Sequence, residues 1–272
     1  RRAATAAGAA GLAALLLAGG PPGGTAYAQG DDSFALRAAN ETLLAYVETG
    51  LPAVDATSQA GLDGLAAILR QRTAVEAAGA IGVDPARDDL AFFPMLYWPV
   101  VPEQPALAEA TIARLNAFMR NGGTIVFDTR DQSRGGTSGA FGGGPGTQRL
   151  RTLAEGLDVP PLTPVPPEHV LTKAFYLMQE FPGRYAGGDV WVQDGEDTVN
   201  DGVSPVVIGA NDWAGAWAVD EAGRPLNAVV PGGERQREMA RRFGVNLVMY
   251  ALTGNYKADQ VHVPAILERL GQ

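Results

Sequence analysis

From residue 31 onward the sequence predicts a three-layer α/β domain with a mostly parallel sheet, and three observations predict it. Short apolar runs alternate with amphipathic stretches in the order strand, helix, strand, helix, which places helices over both faces of a sheet. The run TIVFDT (124–129) shows no polar alternation, as expected of a strand buried on both faces. No internal repeat and no clean linker interrupts residues 31–272, so one domain is expected there, with right-handed crossovers joining its strands.

The elements follow in order. TLLAYVETG (42–50) reads as a strand ending in a turn. Ser58 is placed to cap a helix over QAGLDGLAAILRQRT, whose Leu62, Leu65, Ile68 and Leu69 share one face. LAFFPMLYWPVV (90–101) reads as buried strand interrupted by Pro94. ALAEATIARLNAFMRNGG (106–123) is a helix with a glycine stop, and Ile112, Leu115 and Met119 form its buried stripe. After TIVFDT and a glycine-rich loop comes a short helix around QRLRTLAEGL, then the proline-rich, extended PPLTPVPPEHVL leading into TKAFYLM. DVWVQD and SPVVIGAN are two more short strands. The long helix at 233–254 puts Met239, Phe243, Leu247 and Tyr250 on a core face, and Arg235, Glu238, Arg242 and Asn246 on another. Asn246 sits in so apolar a neighbourhood that a buried structural network is the first reading, with a ligand or partner surface as the second. TGNYKADQVH then reads as a glycine stop and a polar turn, and the tail adds a last turn or two.

Bulk chemistry excludes several function classes. The formal charge of -9 argues against a nucleic-acid surface, which needs a basic stripe, and against a polybasic membrane patch. With no cysteine there is no disulfide, thiolate nucleophile or cysteine-held zinc. Residues 1–30 differ from the rest: Arg1-Arg2, an Ala/Gly/Leu run, then small residues at Ala26 and Ala28. They read as a membrane-spanning or signal-like segment, or as a low-complexity leader. The first residue is Arg rather than Met, so the chain reads as part of a longer or trimmed protein.

Ligands of open parallel sheets sit beyond the carboxyl ends of the strands. Three such ends carry polar residues: Thr49 with Asp55 and Ser58, then Asp128 to Asp131, then Asn211-Asp212-Trp213. The candidate ligand- or partner-binding set is Asp55, Asp128, Arg130, Asp131, Asn211, Asp212 and Arg235. Asp128→Ala with Asp131→Ala is expected to impair function while leaving the domain folded. The glycine loop after Asp128 has no lysine for a phosphate-binding GxxxxGK[ST] and no GxGxxG in register, so it reads as a surface loop or a lid. Ser133, Ser138 and Ser204 lie in no GxSxG elbow. His169 and His262 are the two histidines, and each is a general base only in principle. No metal-ligand spacing is present, so no catalytic residue, metal or cofactor is assigned.

The segments LAYVETG, AGLDGLAAILRQRTAVE, DLAFFPMLYWPV, NGGTIVFDTRD, HVLTKAFYLMQEFPGRYAG, VSPVVIGANDWAGAWA and the stretch from GERQREMARRFGVNLVMYALTG to the end together resemble the domain-of-unknown-function family numbered 4159. The resemblance covers about residues 31–272. It implies a flavodoxin-like fold similar to class I glutamine amidotransferases. It also implies a place at the C-terminal end of a larger bacterial membrane protein whose N-terminal part resembles the BatA aerotolerance-associated region, so that residues 1–30 become a membrane segment. Amidotransferase chemistry does not carry over, because its cysteine nucleophile has no counterpart here. The expected function is therefore a non-catalytic ligand- or partner-binding domain, anchored in the bacterial inner membrane, facing the periplasm and meeting protein partners in a membrane complex. The alternative is a hydrolase of unassigned type that uses a rim carboxylate or His169.

Overall fold

The computed structural model describes residue 34 and residues 36–134, 143–195 and 203–270, with side chains described as far as Thr253 except that of Arg134. The segment at 1–30, most of the glycine loop and the side chain of His262 lie outside the described residues.

One seven-stranded sheet organises the chain, in the order β2-β1-β3-β4-β7-β6-β5. Its strands are β1 (Thr42–Val47), β2 (Ala77–Val83), β3 (Met95–Pro99), β4 (Thr124–Asp128), β5 (Leu162–Pro164), β6 (Trp191–Gln193) and β7 (Val206–Gly209). β2, β1, β3, β4 and β7 run parallel, while β6 pairs antiparallel with β7 and with β5. The parallel part has the strand order of flavodoxin-like sheets, in which the crossover direction reverses between β1 and β3.

Alternating side chains of these strands supply two cores. Leu44, Tyr46, Tyr97, Val126 and Val207 face helices α1 (Pro52–Arg72), α4 (Trp213–Trp217) and α5 (Glu234–Leu270). Leu43, Ala45, Val47, Leu96, Trp98, Ile125, Phe127 and Ile208 face α2 (Glu109–Arg120) and α3 (Pro145–Leu153). Every residue of β3 and β4 is buried, which explains the absence of polar alternation in their sequence. Three layers result. Each large apolar side chain buried fully in them contributes about 1.5–3 kcal/mol.

Gly61 and Gly64 let α1 lie directly on α4. A Cβ at either position would run into the carbonyl oxygens of Ala214 and Trp217 respectively. Leu62, Leu65 and Leu69 of the predicted stripe are fully buried beside them.

Three local expectations are corrected, and two elements were not anticipated from the sequence. α1 starts at Pro52, whose fixed φ suits a first helical position, and Ser58 lies inside the helix with its hydroxyl donating to Val54 O. β2, in AAGAIGV, escapes a pattern search because its alanines and glycines give weak strand signal. The five-residue α4, directly after β7, was likewise not anticipated. Finally, α5 does not stop at Gly254: its backbone continues to Leu270, since a glycine permits a left-handed stop but does not impose one. Pro94 lies immediately before β3, where its missing N–H breaks no ladder bond and its carbonyl still accepts from Thr124 N.

Candidate functional site

The carboxyl ends of β1, β4 and β7 bring the predicted residues to one edge of the sheet, because these strands are parallel. What each residue does there differs. Asp55, in the first turn of α1, closes the β1–α1 turn: its carboxylate accepts from Thr49 N at 2.8 Å, Thr49 Oγ1 at 2.7 Å and Gly50 N at 3.1 Å.

Asp128 ends β4 and is fully buried. Its Oδ1 accepts from Arg130 N at 3.1 Å and Asp212 N at 3.2 Å. Its Oδ2 accepts from the Tyr97 hydroxyl at 2.8 Å and Trp213 N at 2.7 Å. The Tyr97 oxygen in turn accepts from Ala214 N at 3.3 Å. This one carboxyl therefore ties β3, β4 and the β7–α4 turn together. Burial, and then the neighbouring Asp212 charge, push its pKa up to about 6, against the hydrogen bonds from Trp213 and Tyr97 and the charge of Arg130. The Tyr97 hydroxyl is raised well above its ordinary value, first by burial and then by Asp128.

Asp131 caps α3. Its carboxylate accepts from Gly146 N at 3.0 Å, Thr147 N at 2.7 Å and Thr147 Oγ1 at 2.8 Å, satisfying N–H groups that a helix start leaves unpaired. Each removal strands several hydrogen-bond donors, so the Asp128→Ala, Asp131→Ala variant is expected to lose stability as well as function.

Asn211 Nδ2 donates to the carbonyls of Tyr185 and Gly187, fastening the loop before β6 to the end of β7. Asp212 adopts a left-handed backbone, φ 54°, which directs Asp212 N and Trp213 N at Asp128. Its own carboxylate, 5% exposed, pairs with Arg130 Nε at 3.4 Å and Arg184 Nη1 at 3.5 Å. Arg130 is also left-handed, φ 58°, so the two positive-φ non-glycine residues among those described form the two ends of one ion pair. Arg184, not anticipated from the sequence, completes the pairing from a loop whose order follows no periodic pattern. Arg235 stands apart: it is exposed on the first turn of α5 and has no hydrogen bond or ion pair among the described residues.

Arg130 also lines an open cleft of about 150 Å³ with Val100, Val101, Pro102, Thr129, Ser133 and Pro145. Thr129 is 2% exposed, and its hydroxyl has no partner among the described residues. The cleft thus combines apolar walls, a guanidinium anchored at Nε and the Asp131 carboxylate, with the buried Thr129 hydroxyl behind them. That set can hold a polar group.

Two other residues singled out in the sequence make contacts within the fold. His169 Nδ1 accepts from Leu171 N at 3.2 Å, its ring packs 5.5 Å from the Tyr250 ring, and burial lowers its pKa. Asn246 is fully buried; Nδ2 donates to Leu171 O and Tyr176 O, and Oδ1 accepts from Tyr176 N at 2.7 Å. It is the buried network residue expected of it, and Glu238 on the same helix pairs with Arg72 and Arg242. Among the described residues no helix is long and apolar enough to cross a membrane.

A family model described as Domain of unknown function (DUF4159) matches residues 43–252, from β1 to the packed part of α5. No curated protein matches the chain.

Proposed function

The chain belongs to the Domain of unknown function (DUF4159) family, and from that premise we propose that it is a non-catalytic ligand- or partner-binding domain. The observation that supports this reading is the Arg130–Asp212 pair. Left-handed backbone at a residue other than glycine is disfavoured by roughly 1–3 kcal/mol, and such strain gathers at ligand clamps and switch regions. Here it falls on both members of one ion pair, at the carboxyl edge of a parallel sheet, beside an open cleft. The acidic groups beneath are bonded internally, so the surface offered outward is the Arg130 guanidinium, with Arg184 on the far side of Asp212.

We place this binding face in the periplasm, on a protein anchored in the bacterial inner membrane through residues 1–30, of the BatA-like aerotolerance kind, with protein partners in a membrane complex. The support is the sequence character of residues 1–30 and the resemblance set out above. The test is co-purification of the full-length membrane protein with its neighbours, wild type against Arg130→Gln. A folded variant that loses a partner retained by the wild type is the expected result. Identical partner sets from both proteins would remove Arg130 from the binding face.

A further inference from the structure

A second cleft, of about 260 Å³ and open to solvent, lies at the carboxyl ends of β1, β2 and β3 beside the start of α2. This is the point where strand order reverses, the usual ligand position in an open α/β sheet. Val47, Trp98, Leu107 and Leu153 give it apolar walls.

Two nearly buried polar side chains line it. Gln104 is 7% exposed. The Trp98 indole N–H and the Val101 backbone N–H both donate to one atom of its amide, at 3.3 and 3.2 Å. Only oxygen can accept two such donors, so the other amide atom is the NH₂, and it has no partner among the described residues. Thr111 is 6% exposed, and its hydroxyl likewise has no partner among the described residues. A third donor source is the first turn of α2, which follows Ala108, a residue with no capping side chain. Glu48 and Asp84 stand at the lining as well, Asp84 already bonded to Ala86 N and Arg87 Nε. Their charge opposes an anion, although the donors call for an acceptor.

We infer that this cleft binds a small uncharged molecule with a branched apolar body and a carbonyl oxygen, the oxygen held by Gln104, Thr111 and the start of α2. The volume, below the roughly 300–1,000 Å³ of drug-sized sites, suits one small molecule. Arg130 and Thr129 do not line it, so this site stands or falls separately from the rim proposed above.

The test titrates N-acetyl-L-leucinamide into the ¹⁵N-labelled full chain and follows the side-chain NH₂ resonances of Gln104. A saturable shift is expected, with N-acetyl-L-leucine, the carboxylate, binding more weakly. Thr111→Val should weaken the amide about fivefold, the loss of one hydrogen bond, and leave Tm unchanged or higher because the hydroxyl has no protein partner. Any one of four results overturns the inference: no saturable shift, tighter binding of the carboxylate, undiminished binding by Thr111→Val, or a Tm lowered by that substitution.

Discussion

Replacing Asp128 with asparagine separates two opposing forces on one carboxyl. The carboxylate accepts four hydrogen bonds, two at each oxygen. An amide has one oxygen, so at least one buried N–H donor loses its acceptor, at about 1–3 kcal/mol each. Against that stands the charge. Burial and the Asp212 carboxylate raise Asp128 from 3.8 to about 6. Between those two values the native state holds a proton that the unfolded chain has released. The native state then binds more protons, so this group's contribution to stability is fully present below about pH 4 and declines until about pH 6. Two pH units at about 1.4 kcal/mol each amount to about 3 kcal/mol. Asparagine has no proton to lose. The signed difference, wild-type stability minus that of Asp128→Asn, should therefore be highest near pH 4 and about 3 kcal/mol lower at pH 7.5. Urea unfolding of both proteins across that range reads it directly. Taking the difference cancels carboxylates that respond in the opposite sense, such as Glu238, lowered chiefly by its hydrogen bond from Arg72. A signed difference that stays constant or rises with pH would show that Asp128 is not held protonated by the fold.

Two further substitutions test the internal bonding of the polar residues. Asn246→Ala leaves Leu171 O, Tyr176 O and Tyr176 N without their partner, so a loss of roughly 3–5 kcal/mol, or about 10 °C in Tm, is expected by calorimetry. Asp131→Ala removes the cap of α3 and should lower stability by about 1–2 kcal/mol in the same assay, with Asp131→Asn milder because its oxygen still accepts one bond.

Long-range order of this kind is readable in the sequence where periodicity is strong. The leucines of α1, the stripe of α2, the apolar β4 and the Asn246 face of α5 all declare themselves through spacing. The parallel arrangement then places Asp55, Asp128 and Asp212 on one edge, again from pattern alone. What pattern does not reveal is how a polar residue uses its bonding capacity. Asp128 in FDTRD looks like a strand-end acid facing solvent, and only the nonlocal approach of Tyr97 and the β7–α4 turn buries it. Gln104 and Thr111 carry no motif either. Their orientation depends on the indole of Trp98 and on the start of a helix without a cap. β2 was missed for a simpler reason: it is held by pairing with β1 rather than by its own weak propensity.

The acidic strand ends are internal ties of the fold, and the proposed recognition is left to the groups around them. Amide hydrogen exchange of the full chain tests this most directly. If Asp128 and Asp131 are ties, the amides of Asp212, Trp213, Gly146 and Thr147 should exchange as slowly as the β4 amides of Val126 and Phe127, through global unfolding. Exchange of those four amides through local opening, while β4 remains protected, would contradict the claim and return both carboxylates to the solvent-facing rim.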